Sequence, residues 1–180
     1  MTNEALLLID IQNDYFEGGA FFLPGMKQAT VNAADILSWA RETGKLIIHV
    51  RHEDTDPSGE FLLTKTDGAK IHSMVEPQQN EIVITKNYPN AFRDTDLKAK
   101  LSGISKVILV GAMSNMCIDA TARAAFDHGL EVMVVEDACA ACDLEFAGEE
   151  IPAKTVHGSF MAALASAYGT VTSKEELLKQ

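Results

Sequence analysis

At 180 residues, with 47% hydrophobic and 23% charged side chains, the chain has the size and composition of one globular domain, residues 1–180, with a substantial core. A formal net charge of −11 argues against a general binder of nucleic acid or anionic membrane, both of which need a basic surface, and leaves small anionic substrates open. Three cysteines without a dense pairing pattern suit free thiols in a reducing cytoplasm, and the apolar run at residues 5–9 is too short, and lacks the basic flank, for a signal peptide or membrane span.

Residues 4–10 read as a buried strand with Asp10 at its carboxyl end, since a short apolar run ending in a charge suits the middle of a parallel sheet. A loop of about 15 residues, rich in turn formers such as Gly18, Gly19, Pro24 and Gly25, covers that end, and its length suggests function. Val31, Ala34, Ile36, Leu37 and Ala40 recur at helical spacing, which predicts a helix over 27–43 stopped by Gly44, followed by a second strand over 45–50. Residues 51–75 are polar, carry Pro57, Gly59 and Gly68, and form a long excursion without a sustained period. A third strand over 81–85 leads to Lys86. A loop over 87–93, a short helix over 94–101 and a fourth strand over 106–110 follow.

The turn Gly111-Ala-Met-Ser-Asn-Met-Cys then opens an alanine-rich helix closed by Gly129, with Ser114 or Asn115 as its N-cap. Beyond it come a fifth strand over 130–135, a loop of small residues over 136–148 and a helix over 150–168. A short strand over 170–172 and a terminal helix capped by Ser173 complete the pattern. Strands alternating with helices imply right-handed crossovers in a three-layer α/β/α fold with a central, mostly parallel sheet of about six strands.

In such a sheet the loops at the carboxyl ends of the strands share one edge, where ligands bind. Asp10, Lys86 and Cys117 map there. Cys117 in the first turn of a helix meets the positive end of the helix dipole, which favours the thiolate over a thiol of free pKa about 8.5; a small buried space-filling Cys is the other reading. A nucleophilic thiol needs a cation and a proton carrier, and Lys and Asp fill those roles.

Taken in order, Leu8-Ile-Asp-Ile-Gln-Asn-Asp-Tyr15 with Gly18-Gly19, Lys86 with Ala91-Phe92, the stretch from Gly111 to Ala125, and Val135-Glu-Asp-Ala138 resemble the isochorismatase-like cysteine hydrolases. That family includes nicotinamidases, carbamoylsarcosine amidase and related amidases, and the likeness covers nearly the whole chain. The resemblance implies a catalytic triad of Asp10, Lys86 and Cys117. It also implies a cis peptide between Ala112 and Met113 that turns the Met113 and Cys117 N–H groups toward one oxyanion. The activity it implies is hydrolysis of a C–N bond in a small amide or carbamoyl compound through a thioester, without a cofactor, by a homodimer or homotetramer.

Nicotinamidases of this family bind a metal through an Asp-x-His pair after the second strand. Here Val50 stands two positions before His52, so no metal is expected, although His49, His52, Glu53 and His72 offer donors. Cys139-Ala-Ala-Cys142 lacks the second pair of a zinc site and reads as small loop residues, and His128 and His157, in helical segments, are given no role. Gln12, Tyr15, Phe16, Tyr88, Phe92 and Met116, with Phe21, Phe22 and Met113 nearby in sequence, are candidate pocket residues, several of which could equally be core. Two rival functions remain: vinyl-ether cleavage of the isochorismatase type, which uses the Asp as acid and dispenses with the thiol, and a catalytically silent binding protein. The presence of Cys117 argues against the first and the complete trio against the second. A nucleotide-binding Rossmann domain lacks support, since no Gly-x-Gly-x-x-Gly follows the first strand.

Overall fold

The computed structural model describes residues 3–179. In chain order its main elements are β1 (Glu4–Ile9), α1 (Met26–Glu42), β2 (Leu46–His52), β3 (Ile82–Lys86), α2 (Leu97–Lys100), β4 (Lys106–Ala112), α3 (Asp119–Asp127) and β5 (Glu131–Ala140). They are followed by β6 (Leu144–Phe146), β7 (Glu149–Ile151), α4 (Ala153–Ala167), β8 (Thr170–Thr172) and α5 (Lys174–Leu177). The sheet has six strands in the order β3-β2-β1-β4-β5-β8, and every neighbouring pair is parallel. This is the expected α/β architecture. The strand order reverses at β1, so a crevice opens between the carboxyl ends of β1 and β4.

Alternation along β1 sets the layers. Leu6 and Leu8 pack on one face with Ala33, Ile36, Leu37 and Ala40 of α1 and Leu177 of α5. Ala5, Leu7 and Ile9 pack on the other with Leu97 of α2, Ala122 and Ala125 of α3, and Met161 and Leu164 of α4. Because both faces are covered, the central strands β1 and β4 are apolar along nearly their whole length rather than alternating.

Three boundaries differ from expectation. β5 runs to Ala140 rather than ending at residue 135, so Cys139 is a buried strand residue and not part of a loop. Its pairing with β4 shifts register between Leu109 and Gly111, and Glu136 and Asp137 fall beside that irregularity. There the Asp137 carbonyl accepts from Asn32 Nδ2 at 2.6 Å and its carboxylate accepts from the Lys174 N–H at 2.8 Å, which gives polar residues partners inside a strand. Residues 144–151 form the β6–β7 antiparallel hairpin rather than loop and helix. The α4 helix therefore begins after Pro152, where the Asp143 carboxylate accepts from the Ala153 N–H at 2.7 Å.

The 51–75 excursion folds back over the loop that follows β1. The Asn13 and Asp14 N–H groups donate to the Lys70 and Gly68 carbonyls at 3.1 and 3.0 Å, and His72 N–H donates to the Ile11 carbonyl at 2.8 Å. Asp14 Oδ2 accepts from the Leu62 N–H at 2.6 Å, so a buried carboxylate fixes a segment without regular structure.

Candidate active site

Four neighbouring strands each bring one chemical group to the carboxyl edge. Lys86 ends β3, His52 ends β2 and lies opposite Lys86 in register, Asp10 follows β1, and Cys117 follows β4. Lys86 Nζ donates to Asp10 Oδ2 at 2.7 Å, to Cys117 Sγ at 3.2 Å and to His52 Nδ1 at 3.0 Å. An ammonium has three protons and no acceptor, so these three partners saturate it. The pair is fully buried: the Lys86 and Asp10 side chains are both 0% exposed.

Asp10 is held with φ of 51°, in the left-handed region that Asp tolerates better than most residues; its N–H still donates to the Val50 carbonyl at 2.8 Å. Its second oxygen, Oδ1, is buried and has no hydrogen-bond partner among the described residues. Burial works to lower the Lys86 pKa, but the Asp10 charge and then Cys117 outweigh it, so the ammonium is held above its ordinary value.

The turn that leads to Cys117 differs from the expected capped helix start. Residues Ser114–Ile118 form a π turn preceded by Met113, with no side-chain cap, and the Ile118 N–H donates to the Met113 carbonyl at 3.1 Å. The peptide Ala112–Met113 is cis. Gly111 has φ of 123°, and a Cβ there would collide with the Ile9 carbonyl oxygen, so only glycine lets β4 approach β1 at this point. The Met113 N–H has no partner among the described residues.

Ser114 is not a cap. Its hydroxyl donates to the Ala140 carbonyl at 3.1 Å and meets His157 Nδ1 at 2.8 Å. His157, given no role from the sequence, thus reaches from α4 to brace the turn. Around Cys117 the surroundings work against the thiolate that a helix start favours. Burial, then the Asp10 charge, push the thiol well above its usual range, and Lys86 opposes them only in part.

The other candidate residues fall into distinct places. Gln12 is fully buried and acts as a brace: its Nε2 donates to the His52 and Ala69 carbonyls at 2.8 and 2.7 Å, and its Oε1 accepts from the His52 N–H at 2.7 Å. Tyr15 is buried, and burial first, then Asp10 and Cys117, raise its pKa well above the ordinary value, so it stays neutral. Phe16 stacks on His72 with ring centroids 3.8 Å apart. Tyr88 lies under the Arg93 guanidinium, Phe92 contacts the His128 ring edge-on, and Met116, 45% exposed, projects from the turn that leads to Cys117.

The donors named for a metal do not converge. His49 Nε2 meets Glu81 at 2.9 Å, Glu53 meets Arg51 and Thr64, and His72 stacks on Phe16. Donor atoms of Asp10, His52 and Cys117 do lie within 4.8 Å of one another, but the Lys86 ammonium already bonds to all three. A cation is supplied by the chain itself, and the residues present do not fit a resident metal ion.

Comparison with known proteins identifies the chain's relatives. The sequence model of the Isochorismatase domain matches residues 4–176. The chain is 46% identical over 177 residues to the uncharacterized isochorismatase family protein YddQ of Bacillus subtilis (strain 168), covering 97% of this chain and 98% of that one. It is 29% identical over 192 residues to the maleamate amidohydrolase of Pseudomonas putida, covering 98% of this chain and 85% of the relative. A crystal structure from Oleispira antarctica, assigned to the isochorismatase hydrolases, superposes with a TM-score of 0.95 at 49% identity, over 98% of this chain and 96% of that one.

Proposed function

Since the chain belongs to the isochorismatase family, a family of hydrolases with amidases among its members, we propose that it is a cysteine hydrolase that cleaves a C–N bond in a small amide or carbamoyl compound. The observation that carries this reading is the buried contact of one ammonium with both a carboxylate and a thiol, at 2.7 and 3.2 Å, on the sheet edge where strand order reverses.

In this mechanism Asp10 Oδ1, the oxygen left unpartnered, takes the Cys117 proton as the sulfur attacks the carbonyl carbon. Lys86 stabilises the negative charge as it passes from carboxylate to sulfur. The carbonyl oxygen gains the negative charge and is met by the Met113 and Cys117 N–H groups. Collapse breaks the C–N bond, and the Asp10 carboxyl hands its proton to the departing amine. A water molecule, deprotonated by the same carboxylate, then attacks the thioester and frees the acid and the thiol.

The test is an ammonia-release screen across small amides, ureas and carbamoyl compounds, with Cys117→Ala run beside the wild type. A hit hydrolysed by the wild type and not by the variant supports the reading. Full activity in Cys117→Ala would rule out the thioester.

A further inference from the structure

His52 has no part in the steps above, yet it occupies the third proton of the Lys86 ammonium. Its Nδ1 lies 3.0 Å from Lys86 Nζ, and because an ammonium only donates, Nδ1 must accept and Nε2 must carry the ring proton. The imidazole is placed by its backbone. Both the N–H and the carbonyl of His52 are clamped by the Gln12 side chain, at 2.7 and 2.8 Å, and β2–β3 register sets His52 against Lys86.

Lys86 is the end of a long, flexible side chain whose three donors can rotate. With only Asp10 and Cys117 as partners, one proton would be left in a buried site without an acceptor, and the ammonium could turn away from sulfur to place it. The third acceptor removes that freedom.

We propose that His52 is a positioning residue for the hydrolysis, holding the Lys86 ammonium in register with Asp10 and Cys117, and that this ammonium rather than a metal ion is the cation its imidazole serves. Burial first, and then the Lys86 charge, keep the ring below its ordinary pKa, which maintains the neutral acceptor; the charged groups that face it are Lys86, Asp10 and Asp54. For turnover the inference rests on the hydrolytic reading. For the state of the thiol it does not.

The experiment follows iodoacetamide alkylation of Cys117 by peptide mass spectrometry from about pH 6 to pH 10, with Cys139 and Cys142 as internal references. Wild type, His52→Leu and His52→Asn are compared, with thermal unfolding and metal content measured on the same tag-free preparations. Leucine removes the acceptor, whereas the carboxamide oxygen of asparagine can stand where Nδ1 does. His52→Leu should shift the alkylation profile upward by about one pH unit, equivalent to about tenfold slower reaction at fixed pH, and His52→Asn should restore most of it.

An unchanged profile in His52→Leu with a lowered melting temperature would make His52 merely structural and overturn the proposal. A stoichiometric ion present in wild type and lost in both variants would overturn it in favour of a metal. If the profile shifts and no amide is ever hydrolysed, the positioning role stands and the hydrolytic reading falls. If Cys117-dependent hydrolysis is found and no shift appears, the reverse holds.

Discussion

Two ionic clusters built from similar parts lie toward opposite ends of β2 and β3. At the carboxyl end stand Asp10, His52 and Lys86 with the Cys117 thiol; toward the amino end stand Arg41, His49 and Glu81. Each has a carboxylate, a cation and an imidazole. They differ in how the carboxylate is used. Both Glu81 oxygens are occupied: Arg41 bonds to each, at 2.7 and 3.0 Å, and Oε2 also accepts from Gln78 N–H and meets His49, both at 2.9 Å. Asp10 has one oxygen on Lys86 and one buried without a partner. Saturation makes a brace. An acceptor left open in a dry site, next to a thiol, can receive a proton.

The strongest way to break this contrast is to remove one carboxylate charge at each end. Asp10→Asn, which keeps a side chain tolerant of the left-handed backbone, should lower turnover of a confirmed substrate by about 10² to 10⁴. Glu81→Gln should leave turnover nearly unchanged. Equal losses in steady-state assays would erase the distinction.

Stability should sort the partners within the carboxyl-end cluster. Lys86→Met strands the buried Asp10 charge and should destabilise by roughly 3–5 kcal/mol, read from urea unfolding. Adding Asp10→Asn removes the stranded charge without straining the left-handed backbone, so the double variant should recover much of that loss while staying inactive. A double variant no more stable than Lys86→Met would show that the ion pair is not what the single change disturbs.

The smallest effect lies in acid. Burial works to raise the Glu81 pKa, but Arg41, the Gln78 N–H and His49 prevail and hold the carboxyl at about 2 against an unfolded value of 4.5. A carboxyl lowered in the folded state stabilises it above the unfolded pKa, and that contribution is lost as pH falls through about 2. Discounted for solvent screening, the contribution is about 1–2 kcal/mol. Melting curves of wild type and Glu81→Gln should therefore differ at neutral pH and converge toward about pH 2; a constant gap would mean the lost bonds, not the charge, account for it.

The elements that were legible in the sequence were those with local signals. Asp10, Lys86 and Cys117 each follow an apolar run, so strand periodicity alone carried them to one sheet edge. His52 also ends such a run, but its partner is set by the register between β2 and β3, which no local pattern encodes. His157 was missed for a related reason, since its contact with Ser114 spans α4 and the turn that leads to Cys117. For Cys117, helix position is visible in sequence, whereas burial beside Asp10, which acts against the thiolate, is not. The β6–β7 hairpin was hidden by its own composition: its exposed acidic residues resemble a loop, and its turn relies on Ala147 at φ of 55° and Gly148 at φ of 83°. The start of α4 depends on a cap supplied ten residues upstream, by Asp143.

The spread of the proposed active-site groups over four strands also bears on how the site is assembled. Lys86 is separated by 76 residues from Asp10, by 34 from His52 and by 31 from Cys117. Such contacts close only after the intervening loops have been ordered, so they belong to the slow, non-local part of folding. During synthesis no chain that stops short of Cys117 can hold the site, because the proposed nucleophile is the last of the four groups to emerge. Recovery of hydrolysis after dilution from denaturant would then trail the return of helical signal and report the moment at which β3, β2, β1 and β4 stand side by side.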